Sequence, residues 1–206
     1  MIYFDNAATT FPKPAAVIRE MPKCMREYCG NPGRSSHPLA LAASEAIYDV
    51  RCGIAEFFGI SKPENIIFTQ NATQALNLVI SGIACRGDHF IISNLEHNSV
   101  IRPIANLCAL RGMTYDTVNA VRDDETLLRE IEQNIRPETR AVVMTHASNI
   151  CPRILPIDKI GALCKRYGIL YVVDAAQSAG VYDIQMMRDG ISVLCAPGHK
   201  GLYGPQ

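Results

Sequence analysis

The chain predicts an α/β fold, a mostly parallel sheet sandwiched by helices. Three observations predict it. Short apolar runs without alternation recur along the chain, amphipathic stretches of helical length separate them, and polar or glycine-rich turns punctuate each change. With 48% hydrophobic side chains in 206 residues, there is enough apolar material for one sizeable core.

In chain order, Phe4-Asp5-Asn6-Ala7-Ala8-Thr9-Thr10-Phe11-Pro12-Lys13-Pro14 carries too much punctuation for a long element and reads as an extended arm followed by a loop. A second loop, Gly30 to His37, precedes an amphipathic helix over Leu39 to Phe58. Its apolar face is expected at positions 39, 47, 50, 54, 57 and 58, with Ser35 or Ser36 as its cap and Gly59 as its end. Then comes the alternation. Asn65 to Thr69 reads as a buried strand and Thr73 to Ala84 as a helix. Phe90 to Ser93 (strand), Val100 to Leu110 (helix), Met113 to Val118 (strand) and Glu125 to Ile135 (helix) follow. Ala141 to Thr145 is the next strand, Asp158 to Tyr167 a helix closed by Gly168, and Ile169 to Asp174 and Ile191 to Leu194 the last two strands. In such sheets ligands gather at the carboxyl ends of the strands.

Charge and composition exclude several classes of function. Twenty basic residues balance twenty acidic ones, so no overall field draws the chain to nucleic acid or to an anionic membrane. No basic start with an apolar stretch marks a signal peptide, and no apolar run approaches a membrane span. The chain therefore reads as a cytoplasmic protein with no nucleic-acid and no membrane partner. Its eight cysteines lack a C-x-x-C pair or a nearby histidine cluster, which argues against a metal site and makes most of them small core hydrophobes.

The candidate chemistry lies at strand ends. Lys200 stands behind His199 in Gly198-His199-Lys200-Gly201, 26 residues after Asp174, which ends the apolar run Tyr171-Val172-Val173. A lysine amine can form a Schiff base with the aldehyde of pyridoxal 5'-phosphate (PLP), and a carboxylate at a strand end can hold that cofactor's pyridine nitrogen protonated. Asn71, Ala72 and Thr73 join a strand to a helix, where free amides can meet a phosphate; they are equally an ordinary helix cap. His97 can stack on a flat ring and exchange protons, or be a loop histidine bonded to a carbonyl. Asn149 can reach a phenolic oxygen or be a turn residue. Asp174 with Gln177 can serve the ring, or Asp174 can cap a helix. The cofactor reading is favoured because five candidate groups follow five different strands of one predicted sheet.

These residues, with Tyr3-Phe4-Asp5-Asn6-Ala7-Ala8-Thr9-Thr10, Asn31-Pro32, Ser36-His37, Glu96-His97-Asn98-Ser99, His146-Ala147-Ser148-Asn149 and Asp174-Ala175-Ala176-Gln177, occur in an order that resembles the cysteine desulfurase and selenocysteine lyase branch of the class V, fold type I PLP enzymes. The resemblance implies PLP held covalently by Lys200, phosphate contacts from Ala72, Thr73 and His199, and His97 stacked on the ring. It also implies Asp174 on the pyridine nitrogen, with Gln177 and Asn149 near the phenolic oxygen. Lys200 and His97 would shuttle protons, the substrate would be L-cysteine or selenocysteine, and the parent would be a homodimer serving a sulfur-acceptor protein. By the same resemblance, residues 1–206 comprise an N-terminal arm plus most of the PLP-binding large domain, truncated before the sulfur-accepting cysteine and the carboxylate-binding arginine. Such a fragment is expected to be inactive alone. The alternatives are another class V aminotransferase or lyase, and a non-catalytic remnant that binds PLP or a partner.

Overall fold

A computed structural model describes residues 2–33 and 36–205. It divides into two compact units: the described residues of Met1–Phe68 together with those of Gly198–Gln206, and Thr69–Pro197.

In the first unit, helix α1 (Ala15–Glu27) starts directly after Pro14 and carries no buried residue. It was not expected: Ile18, Met21 and Met25 recur at helical spacing, but Pro22 stands inside the helix, where a proline ordinarily marks a break. Helix α2 (Pro38–Phe57) has Pro38 in its first turn, where the missing N–H costs nothing. Its cap is His37, whose Nδ1 accepts from the Ala40 N–H at 3.4 Å, and not Ser36; Ser35 lies outside the described residues. The buried stripe also differs from the expected one. Phe58 is buried as expected, and Ala40, Ala43 and Ala55 are buried too, whereas Leu39, Ile47, Val50 and Phe57 are exposed.

The strand expected over Asn65 to Thr69 does not form. A short 3-10 turn, Pro63–Asn65, occupies its start, and among the described residues the run has no ladder partner. A strand is defined by its pairing, and here Ile67 and Phe68 stand exposed, the Phe68 ring lying 5.7 Å from the Arg51 guanidinium.

The second unit alternates as expected: α3 (Ala72–Ile83), β1 (His89–Ser93), α4 (Asn98–Arg111), β2 (Thr114–Val118), α5 (Asp124–Asn134), β3 (Thr139–Thr145), α6 (Ile157–Tyr167), β4 (Leu170–Asp174) and β5 (Val193–Cys195). The five strands form one parallel sheet in the order β2-β1-β3-β4-β5. The chain runs outward from β1 to β2, then returns across β1 to β3. That reversal is the topological switch point, where loops from β1 and β3 diverge and leave a crevice at the carboxyl edge.

Helices cover both sheet faces, so β1 is buried at every position and shows no alternation. On one face Phe90, Ile92, Ala141, Val143 and Val172 pack with Leu76 and Ile80 of α3 and Val100, Ile104 and Leu107 of α4. The period-2 geometry turns Ile91, Val142, Met144, Tyr171 and Val173 to the other face. Leu127 and Ile131 of α5 and Ile160 and Leu163 of α6 are also buried. The left-handed Gly168 (φ 67°) ends α6 as expected. The cysteines are less buried than expected: all eight are free thiols, but only Cys164 and Cys195 are buried, and Cys29 and Cys85 are exposed.

Candidate active site

In the second unit the candidates collect at the carboxyl edge of the sheet. Asn71 caps α3, its Oδ1 accepting from Gln74 N–H at 2.8 Å, while Gln74 Oε1 accepts from Gln70 N–H at 2.7 Å. This reciprocal cap leaves the amides of Ala72 and Thr73 in the first turn, where no intrahelical acceptor exists. The ordinary-cap reading is therefore right for the Asn71 side chain and leaves the helix terminus able to meet an anion.

His97 follows β1 and caps α4. Its Nδ1 accepts from the Ser99 N–H at 3.2 Å and lies 2.9 Å from Ser99 Oγ. Because Nδ1 accepts, the neutral ring carries its proton on Nε2, and the exposed side of the imidazole is a donor. Asn77 of α3 donates to the Ser99 carbonyl at 3.3 Å, which ties the middle of α3 to the first turn of α4.

Asn149 lies exposed in a loop after β3, closed at its base by the Ala147–Ile154 bridge and by Leu155 N–H donating to the His146 carbonyl at 2.9 Å. Asp174 is the last residue of β4 and is 3% exposed. Its Oδ1 accepts from Ala176 N–H at 2.9 Å, and its carbonyl accepts from His146 N–H at 2.9 Å. The Asp174 side chain thus orients the turn after β4 rather than capping a helix, and Gln177 sits half-buried in that turn.

His199 and Lys200 belong to the first unit, in a turn over residues 198–202. Gly204 N–H donates to the Gly198 carbonyl at 2.7 Å, and a Cβ at Gly204 would lie 2.9 Å from that oxygen, so the turn closes only on a glycine. The N-terminal segment grips the same turn. The His199 carbonyl accepts from Lys13 Nζ at 2.8 Å and from Thr10 N–H and the Thr9 hydroxyl at 3.2 Å each. Burial and the charges of Lys200 and Lys13 lower the His199 pKa, favouring its neutral form.

Of the five runs expected as strands before candidate groups, four form: the run before Asn71 is not a strand, and the other candidates follow β1, β3, β4 and β5 in the chain. Sequence reasoning passed over two features: the Lys13–Thr9–Thr10 grip on the lysine turn, which joins residues nearly 190 positions apart, and Glu96. Glu96 is 7% exposed between the ends of β1 and β3, its Oε1 accepting from the Ser93 hydroxyl and, at 2.9 Å, from Thr145 N–H. The signal available for it was a glutamate three positions after a strand-end serine, a spacing suited to a local hydrogen bond.

Among the described residues, no helix is long and apolar enough to cross a membrane, and no cluster of His, Cys, Asp or Glu could hold a metal ion.

Comparison with known proteins identifies the family. The chain is 36% identical over 205 residues to a probable cysteine desulfurase of Methanothermobacter thermautotrophicus, covering 99% of this chain and 50% of that protein. Its fold matches the apo structure of a cysteine desulfurase from Thermococcus onnurineus NA1 with a TM-score of 0.90 and 33% identity, covering 100% of this chain and 51% of that one. It also matches a C-DES mutant with glycine covalently linked to its PLP cofactor, with a TM-score of 0.85 and 25% identity over 98% of this chain and 54% of that one. The chain thus spans about half the length of these proteins. The family model for class-V aminotransferases matches residues 2–206, and this chain belongs to that family.

Proposed function

We propose that this chain is the N-terminal arm and most of the PLP-binding large domain of a PLP-dependent cysteine desulfurase, whose parent is a homodimer that takes sulfur from L-cysteine, or selenium from selenocysteine, and passes it to an acceptor protein. One observation carries the reading: His97, Asn149, Asp174 and Gln177 lie at the carboxyl ends of three strands of one parallel sheet, beside the β1/β3 switch point and with α3 tied to the first turn of α4.

The residues fit the cofactor chemically. Asp174 is a buried carboxylate, which suits a protonated ring nitrogen; Ala72 and Thr73 offer first-turn amides to a phosphate. A neutral His199 is a hydrogen-bond donor for the same phosphate, and Lys200 supplies the amine for covalent attachment. When bound, PLP supplies an electron sink for bond changes at the substrate's α-carbon. The chain's own residues do the rest. Asp174 would hold a proton on the ring nitrogen, Gln177 and Asn149 would donate amide hydrogens to the phenolic oxygen, and the Lys200 amine would move protons. His97, with Nδ1 committed to Ser99, presents Nε2–H at the crevice and can only give a proton until that nitrogen is emptied.

With a thiol reductant present to return the transferred sulfur to sulfide, the purified parent should release alanine and sulfide from L-cysteine in equal amounts, with selenocysteine run beside it. Formation of a keto acid in place of alanine would assign the chain to the other class V activities, a lyase if ammonia is released with it and an aminotransferase if it is not. No turnover with any amino acid in a folded, full-length protein would make it a binding remnant.

A further inference from the structure

We propose that Glu96 is a positioning residue that keeps its proton at neutral pH and braces the carboxyl ends of β1 and β3, leaving the negative charge at these strand ends to Asp174. The link to Asp174 rests on the proposed function; the brace and its proton do not.

The geometry argues for both parts. Glu96 follows β1 by three residues, is 7% exposed, and its Oε1 reaches the Ser93 hydroxyl at the end of β1 and Thr145 N–H at the end of β3. Thr145 is itself the register partner of Asp174. One carboxyl oxygen therefore joins two strands directly and lies one pairing step from the third.

The other oxygen, Oε2, is buried with no hydrogen-bond partner, and among the described residues no cation pairs with Glu96. An ionised carboxylate in that position would leave charge on an oxygen that nothing compensates. A neutral carboxyl leaves only a carbonyl-type oxygen or hydroxyl there, and the Ser93 contact is made with the proton on either partner. The titratable groups around it, Asp174 and Tyr171 of β4, are both acids, so neither offers a counter-charge. Consistent with this, burial pushes the Glu96 carboxyl up to about 8, with Asp174 adding to the rise and the Ser93 and Thr145 hydrogen bonds opposing it. The alternative of two carboxylates ionised side by side is what proximity of like charges disfavours.

The brace also explains why the adjacent residue can be presented precisely enough to act. His97 is held on one side by Ser99 and on the other by Glu96, whose side chain is fixed to two strands. Shortening or deleting Glu96 would free both the end of β3, from which Asn149 emerges, and the start of α4.

Infrared difference spectra of the full-length apoprotein, wild type minus E96Q at pH 7, test the proton. A protonated carboxylic-acid carbonyl band present in wild type and missing from E96Q is expected; its absence overturns the proposal. Thr145 amide exchange tests the brace. E96Q, an uncharged isostere, should leave Thr145 protection within about threefold of wild type, and E96A should speed its exchange by about tenfold or more. Equal protection in E96A overturns the brace, and if E96A fails to fold the infrared arm still decides. Reduction of the PLP-loaded protein, run in parallel, separates the two readings. A carboxylic-acid band without cofactor on Lys200 upholds Glu96 and removes the proposed function, whereas cofactor on Lys200 without the band removes only Glu96's role.

Discussion

Asp174 shows how much a single position can decide. Its carboxylate is buried, oriented by Ala176 N–H, and placed where a strand ends. In the parent enzyme Asp174→Ala should still take up PLP but turn over cysteine about 10²- to 10⁴-fold more slowly, since the ring nitrogen loses the group that keeps it protonated. Near-normal turnover would show that another residue holds the ring. His146 supplies a pH signature. Burial lowers its pKa from the ordinary 6.5, against a smaller opposing effect of Asp189, and the residue is 5% exposed. A histidine that stays neutral in the fold while the unfolded chain takes up a proton contributes stability that is present above about pH 6.5 and is lost as pH falls below it. Denaturation midpoints compared at pH 7.5 and pH 5.5 should therefore fall more for wild type than for His146→Gln. Equal falls would mean that His146 titrates normally.

Elements hold these residues in place, and one contact is unusually tight. In α6 a Cβ at Gly161 would lie 1.9 Å from the Asp189 carbonyl, so this helix and the loop before β5 meet backbone to backbone. Gly161→Ala should destabilise the protein by about 1–3 kcal/mol, measured by denaturant titration, because backbone on both sides must move. A change within about 0.5 kcal/mol would show that the two segments slide apart easily. The α5 cap is separable from this. Asp123 accepts from the Thr126 N–H at 2.9 Å and its hydroxyl at 2.8 Å, which lowers the Asp123 pKa. Asp123→Ala should lower the melting temperature at neutral pH, with the difference shrinking as acid protonates the carboxylate in the native protein. Most of these elements are legible in the sequence, since strands buried on both faces read as solid apolar runs and Gly168 marks the end of α6. The misses have physical causes. Asn65 to Thr69 is apolar but finds no ladder partner, α2 buries alanines where bulkier residues gave the stronger pattern, and α1 carries Pro22 in its interior, where a proline ordinarily signals a break. In the candidate site, residues with recognisable chemistry such as Asp174 and His97 could be singled out, whereas the reach of Glu96 to Thr145 and the Lys13 grip join distant parts of the chain, which spacing does not reveal.

At the scale of the whole chain, large apolar side chains remain uncovered. Ile18, Met21 and Met25 of α1 and Leu39, Leu41, Val50 and Phe57 of α2 are exposed, and the sheet has a three-residue edge strand in β5. Exposed apolar area of this kind and an open edge favour association. Light scattering on the 206-residue chain alone should show associated species, and assay of the same sample should show no appreciable release of alanine and sulfide from cysteine. A monodisperse monomer that turns over cysteine like its parent would contradict both expectations. The proposed catalytic role depends on one claim, that Lys200 is the residue on which PLP is carried. Borohydride reduction of the PLP-loaded parent, followed by peptide mass mapping, tests it directly: the account predicts the reduced cofactor mass on the peptide containing Lys200, and label found only on other lysines would contradict it.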